Sequence, residues 1–483
     1  MRNEDSKPET VHKEREHKDD ELFSNPMQRG FERILTPFQE FIRDTTTASV
    51  FLLICTIAAL LIANSPLSAD YSALLHTRIG VTVNGVGFSK DLHHWINDGL
   101  MALFFFVIGL EIKRELLAGE LQNVRLAVPV LAAAVGGMIV PALIYAGLNA
   151  GTASESGWGI PVATDTAFAL GILALLGRRV PAALAAFLTA LAIIDDIGAV
   201  LVIAVFYSDA ISVPHLMLAF LFLSGLVFLN LLGVRHAFPY LLGGGLVWLA
   251  MLESGVHATV AGVLVAFTVP ARPRRGPSWF LGRARRLMDR FENLEQGKAR
   301  RGQADAGILA AEDQHAVVER IQETAHEVTT PLQLWVRTLE GPVALLILPV
   351  FALANAGVPV KLSALPALLA DPITLGIVLG LVVGKAVGIT AFCWLAVKAG
   401  VGELSAAMNF RHVIGIGLLG GMGFTMSIFI AGLNFETSPG QLLTAKSAIL
   451  LASLIAGIVG YLWLNTVAPR RYDAAGKSFR HAG

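Results

Sequence analysis

Two aspartates stand side by side where a chain can least accommodate them. Asp195 and Asp196, in ALAIIDDIGAV (190–200), lie inside a segment from Val180 to Phe206 that is otherwise uncharged. That segment is long enough to cross a bilayer as one helix. Adjacent residues on a helix point about 100° apart, so the two carboxylates cannot face the same partner. Each costs several kcal/mol at the membrane centre unless it is paired, hydrated or protonated. Ionisable residues at that depth mark function by default, and the pair reads as part of an ion pathway. The alternative is a structural pair hydrogen-bonded to neighbouring helices.

The rest of the chain makes the membrane reading general. It has 483 residues, 54% of them hydrophobic and only 15% charged, with a formal net charge of zero. The mean hydropathy is +0.62, the profile of a polytopic membrane protein and not of a soluble globule. Cys55 and Cys393 both lie in apolar runs and suggest neither a disulfide framework nor a metal site. The first 45 residues are polar and are read as carrying no secretory signal, with the first apolar run retained as a span.

In order, residues 1–45 are expected to be a polar tail ending in an amphipathic surface helix. Phe31, Ile34, Leu35, Phe38, Phe41 and Ile42 share one face of that helix. Residues 46–270 hold spans one to eight. After the first comes RIGVTVNGVGFSK (78–90), two β-type runs around Asn84-Gly85 and therefore a small hairpin in the first outer loop. Residues 271–331 form a long polar interruption, 332–468 hold spans nine to twelve, and 469–483 are a polar tail. The fold class is all-α, with about twelve transmembrane helices.

Basic residues sort by side. Lys113, Arg114, Arg125, Arg178, Arg179, Arg235, Lys398, Arg411, Arg470 and Arg471 fall on one side of this layout, and the opposite loops are poor in Lys and Arg. Both termini are therefore expected to be cytoplasmic, in the inner membrane if the source is bacterial. Within the long interruption, RPRRGPSWFLGRARR (272–286) is either a basic lipid-headgroup surface or part of a solvated linker with one or two surface helices.

Three more stretches carry chemistry. GWGIPVATDTAFALGILALLG (157–177) sets Pro161, Thr164, Asp165 and Thr166 in mid-span. Proline removes a backbone donor, and short polar side chains can satisfy the groups that a helix break frees. Asp165 either caps a second half-helix or faces a cavity and holds charge, and the two readings are compatible. GIGLLGGMGFTMSIFIAG (415–432) is a second candidate break, with Gly420, Gly421 and Gly423 clustered ahead of Thr425 and Ser427. Paired breaks in the two halves of a chain point to a transporter. GIVLGLVVGKAVGITAFCWLAV (376–397) buries Lys385 near mid-span, where it cannot snorkel and should meet Asp195 or Asp196. A structural and a proton-carrying role for Lys385 are both open. His257 reads as a packed residue and His412 as interfacial. The chain shows no nucleotide motif.

Taken together, VATDTAFALG, ALAIIDDIGAV, VVGKAVGI, GMGFTMSIFIAG and WINDGLMALFFFVIGLEIKREL resemble the NhaA family of sodium/proton antiporters, from about residue 30 to 468. The resemblance implies inverted repeats of the third to fifth and tenth to twelfth spans, with broken fourth and eleventh helices crossing at mid-membrane. That architecture is family knowledge and not a derivation from these residues.

The resemblance also implies roles. Asp196 is expected as the main cation and proton carboxylate and Asp195 as its alternating partner, able to pair with Lys385. Thr164 joins them as an oxygen ligand for transported Na+. Asp165 belongs to the same site and, with Lys385, compensates the charges of half-helix ends. Glu111 and Glu115, in GLEIKREL, match acidic positions of a pH-sensing cytoplasmic funnel. The hairpin, with Val83, Asn84 and Gly85 at its tip, resembles a dimer contact.

The expected function is electrogenic exchange of Na+ or Li+ for H+, regulated by pH. It needs no cofactor beyond the transported ions, and membrane lipid and a second copy of the chain are the expected partners, with no nucleic acid. Two departures from the family bear on the pH set-point: Arg337 and Glu340 replace a Glu-His-type pattern, and the 271–331 stretch is longer than usual. An intramembrane aspartic protease would leave Lys385 unexplained, and its Tyr-Asp signature would fall at Tyr472-Asp473 in the tail. A cation channel would need a continuous pore, against which a buried lysine opposite the carboxylates argues.

Overall fold

Helix follows helix wherever the sequence is apolar. The computed structural model describes residues 45–83, 86–118, 124–208, 211–300, 312–359, 363 and 365–467. The surface helix expected over 31–42, the hairpin tip Asn84-Gly85, and Arg470 and Arg471 lie outside the described residues.

The first span, α1 (Thr45–Ala63), turns by 115° into α2 (Ser68–Leu75). The antiparallel strands β1 (Arg78–Val83) and β2 (Val86–Asp91) follow, in a register running from Arg78 opposite Asp91 to Val83 opposite Val86. A two-residue connection between paired strands is the hairpin that the Asn-Gly pair calls for. Asp91 then caps α3 (Leu92–Leu117), its side chain accepting from His94 N at 2.9 Å.

The spans continue with α4 (Val124–Asn149), then a 3-10 segment (Glu155–Val162) that leads into α5 (Thr166–Leu175) as one broken span. Next come α6 (Ala182–Phe206), α7 (Val213–Leu231), α8 (Ala237–Leu252) and α9 (Val260–Thr268). Beyond α10 (Pro277–Arg300) and α11 (Glu312–Val328) lie α12 (Pro331–Asn355), the short α13 (Leu365–Ala370) and α14 (Pro372–Lys398). The chain finishes with α15 (Phe410–Leu419), α16 (Phe424–Asn434) and α17 (Pro439–Val467).

Each of the twelve apolar runs is thus helical. Eight helices are singly long and apolar enough to cross a membrane, and counting each bent pair as one span brings the total to ten. The remaining two are the shorter α8 and α9. α9 is short because it starts only at Val260 and because Val269, the residue before Pro270, is held extended, and its last carbonyls find partners on other spans. Lys113 Nζ donates to Phe267 O (2.6 Å) and Val269 O (2.5 Å), and Asn230 Nδ2 to Thr268 O (2.7 Å). A cation on the negative end of a helix is also favourable electrostatically.

The outer belt is apolar, as a lipid-facing surface requires: Phe220 and Leu231 of α7 and Leu241 of α8 are among the most exposed hydrophobic side chains. Between membrane helices, by contrast, close backbone approach replaces large side chains. At the α4–α14 contact a Cβ on Gly388 would sit 2.1 Å from Gly136 O, so only glycine fits there. This contact fixes α14, and with it Lys385, against the third span. A π-helical turn (Leu379–Gly384) immediately precedes Lys385 and ends where α14 resumes regular winding. Such turns inside α-helices are often found at functional sites.

Candidate functional site

The site is the place where two helices come apart. Proline at 161 cannot continue an α-helical ladder, and the chain runs 3-10 to Val162 and then extended at Ala163. Asp165 starts α5 as its N-cap, Oδ1 accepting from Phe168 N at 3.1 Å. In the eleventh span α15 stops at Leu419, and the chain bends by 47° before α16 begins at Phe424. Glycine is needed in that gap because a Cβ on Gly421 would lie 2.3 Å from Leu381 O of α14.

The two gaps cross. Asp165 N donates to Met422 O (2.5 Å), Thr164 Oγ1 lies 2.8 Å from Gly420 O, and Ser427 Oγ donates to Ile160 O (2.7 Å). Asp165 serves both breaks at once. Its Oδ2 accepts from Thr425 N (2.9 Å) and Thr425 Oγ1 (2.6 Å), so one buried carboxylate caps α5 and α16 together. Both helices aim their positive ends at it, which favours a negative charge.

Alongside the crossing, α6 and α14 meet through a buried ion pair. Lys385 Nζ donates to Asp195 Oδ2 at 2.5 Å, and both side chains are 0% exposed. Thr164 Oγ1 lies 2.7 Å from the same Oδ2. A threonine hydroxyl has one proton, so it donates either to Asp195 or to Gly420 O. The Thr164 hydroxyl thus links Asp195 to the backbone of the eleventh span.

Among the described residues, two carboxylate oxygens at this site are buried without a hydrogen-bond partner: Asp195 Oδ1 and Asp196 Oδ1. Native proteins rarely leave such atoms unsatisfied. Asp196 is 6% exposed and, among the described residues, has no basic nitrogen within ion-pair distance. Asp195, the Thr164 hydroxyl and the Gly420 carbonyl bring oxygen atoms together at the crossing, and oxygen is the donor a hard cation takes. Among the described residues no group of three or more His, Cys, Asp and Glu side chains is placed to hold a resident metal ion.

The structure therefore brings together Thr164, Asp165, Asp195, Asp196 and Lys385. It settles the partner of Lys385 as Asp195. Glu111 and Glu115 are part-buried on α3 on either side of Lys113, and the Glu111 carboxylate is near enough to act electrostatically on Asp196. Of the expected hairpin residues, Val83 is in β1 opposite Val86. His257 packs edge-on to Phe429, ring centroids 5.9 Å apart. His412 is buried and completes a capping box with Asn409 at the start of α15. Sequence reasoning noted Thr425 but missed its bond to Asp165. The available signal was a hydroxyl residue two positions after a glycine cluster, in the first turn of the helix that must start there.

Crossed broken helices around buried carboxylates and a buried lysine, inside a sheath of apolar spans, define a multi-pass membrane protein of the secondary-transporter class. Comparison with known proteins makes this particular. The family model "Na+/H+ antiporter 1" matches residues 39–464. The Na(+)/H(+) antiporter NhaA of Sulfurimonas denitrificans is 46% identical over 443 residues, covering 92% of this chain and 98% of that protein. NhaA 1 of Saccharophagus degradans is 47% identical over 445 residues, 91% of this chain and 94% of that protein. NhaA of Oleidesulfovibrio alaskensis is 48% identical over 436 residues, 90% and 95% respectively. The chain belongs to the NhaA family of Na+/H+ antiporters.

Proposed function

We propose that the crossing exchanges Na+, and Li+, for H+ by alternating access, electrogenically and without any cofactor. The observation that supports this most is the pair of unpartnered buried oxygens, Asp195 Oδ1 and Asp196 Oδ1, beside a lysine that already neutralises one of them. A dehydrated cation needs such oxygens, and so does a proton, so the two ions compete for one site. Competition together with access to one side at a time yields exchange.

Asp196 is the principal carboxylate in this reading. Sodium arriving at Asp196 and Asp195 displaces Lys385 from Asp195, and the stranded ammonium becomes able to release its proton. Return of protons to Asp196 and to the Lys385–Asp195 pair then carries more positive charge than one sodium ion, so the membrane potential drives sodium out. Thr164 reports the state of Asp195 to Gly420, and Asp165 holds the half-helix ends. Rising pH frees the carboxylates for Na+, and Glu111 and Glu115 set the cytoplasmic response to pH. The protein sits in the bacterial inner membrane with both termini cytoplasmic and pairs with a second copy through the 78–90 hairpin.

The test is ΔpH dequenching in everted vesicles on adding NaCl or LiCl, across external pH, for the native chain and Asp196→Asn. Cation-triggered proton movement, lost in the variant, is expected. Retained exchange in Asp196→Asn overturns the assignment, and no response to either cation overturns the substrate. Removing residues 78–90 should shift the purified protein from dimer to monomer by light scattering in detergent; an unchanged oligomer removes the hairpin from the interface.

A further inference from the structure

The family reading leaves the 271–331 segment without a task. Its two helices pack on each other through buried Leu287 of α10 and Val317 of α11. The pair is rooted at the membrane boundary, because Leu332 N, in the first turn of α12, donates to Pro270 O just after α9. The root is fastened a second time: Arg274 N and Arg275 N both donate to Glu327 O, and Arg274 pairs with the Glu327 carboxylate at 3.6 Å. Arg275 stacks over the Trp279 ring at 5.4 Å, an aromatic and a cation together where the chain leaves the spans.

Beyond the root the surface of α10 is basic and partly apolar. Between 272 and 290 the chain carries seven arginines and a single acidic residue, Asp289. Among the described residues Arg274 alone of these seven is in an ion pair. Leu281 and Met288 are each 55% exposed and, seven residues apart, lie on one stripe of the helix with Arg285 between them. Away from that stripe, Arg283, Arg286 and Arg290 are also exposed. An exposed Leu–Arg–Met stripe in a field of unpaired arginines, tethered at the end of a membrane span, matches one surface in charge and place: the headgroup layer of the bilayer that the chain already crosses.

We propose that α10 is a docking helix for anionic phospholipid headgroups, with Leu281 and Met288 entering the headgroup layer and Arg285, between them on the same stripe, engaging lipid phosphates. Polybasic segments directly beside a span are drawn to anionic leaflets in this way, and the attraction is screened by salt. The acidic face of α11, with Glu319 and Glu323 exposed, is left on the water side.

The proposal stands apart from the transport reading and can fail without it. The test uses the full-length chain with Cys55 and Cys393 replaced by Ala and a spin label at Met288→Cys or, as a control, at Glu319→Cys. The protein is reconstituted in vesicles of phosphatidylcholine alone or with phosphatidylglycerol. Accessibility to oxygen and to a water-soluble nickel complex is read by power saturation. In phosphatidylglycerol the label at 288 should favour oxygen over nickel by at least severalfold more than in phosphatidylcholine. High salt should erase the difference and Arg285→Gln should weaken it, while the label at 319 stays water-exposed throughout. A label at 288 with the same accessibility in both lipids, or shielded from both reagents as in a protein contact, overturns the proposal.

Discussion

Asp165 and Asp195 lie at the same crossing, both buried, and are satisfied by opposite means. Asp165 is bound by fixed dipoles: the N–H groups of Phe168 and Thr425 and the Thr425 hydroxyl take both of its oxygens. Asp195 is bound by a cation that can leave and a hydroxyl that can turn, and its second oxygen is unpartnered. Backbone donors at helix ends cannot be withdrawn without unwinding a helix, whereas an ammonium can lose a proton or a partner. A carboxylate held by dipoles therefore suits permanent charge compensation, and one held by lysine suits exchange. Two residues of one type at one crossing thus differ in what donates to them, fixed helix-end dipoles in one case and a side-chain cation with a hydroxyl in the other.

The sharpest way to break this contrast is Lys385→Ala. Removing one member of a buried ion pair strands the other, at a cost of about 3–5 kcal/mol, seen as a lower thermal midpoint of the purified protein. Adding Asp195→Asn should recover most of that loss, and strictly additive effects in the double-mutant cycle would mean that the two side chains are not paired.

Asp165→Ala comes next. It removes the caps of two helices, and at typical capping values the loss is roughly 2–4 kcal/mol. Here Lys385→Ala in the same chain should give no recovery, and recovery would make Asp165 part of the exchangeable pair after all. Gly421→Ala forces a methyl onto Leu381 O, so a loss of about 1–3 kcal/mol and a slower exchange rate are expected; native-like behaviour would show the crossing to be looser than its contacts. The smallest effect belongs to Thr164→Val, about 1 kcal/mol for a lost hydrogen bond. Its signature should be a weaker apparent Na+ affinity in vesicles, and an unchanged affinity would take Thr164 out of the ion's path.

Much of the architecture was legible because membranes impose simple rules. Apolar length announced the spans, and charges at forbidden depth, Asp195, Asp196 and Lys385, announced the site. Pro161 and the Gly420–Gly423 cluster announced the breaks, and Asn84-Gly85 the hairpin between β1 and β2. Less visible were the two short helices. α9 starts only at Val260, Pro270 bars its continuation, and its last carbonyls are taken by Lys113 and Asn230 from other spans. Periodicity within α9 holds no trace of them.

What the sequence by itself determined is therefore a membrane protein of about twelve helices with two breaks and four ionisable side chains in its centre, Asp165, Asp195, Asp196 and Lys385, since each of those features follows from the local cost of putting a residue into lipid. Only the tertiary structure decided that Lys385 chooses Asp195 and leaves Asp196 unpaired, and that Asp165 caps its own helix and α16 together. Adjacent aspartates are equivalent to any local rule. They become different when α14, seated on α4 through Gly136 and Gly388, delivers its ammonium to one side of α6 and not the other. Hydrogen bonds and ion pairs act over about 3 Å, and which groups come that close is settled by helix packing across the whole chain.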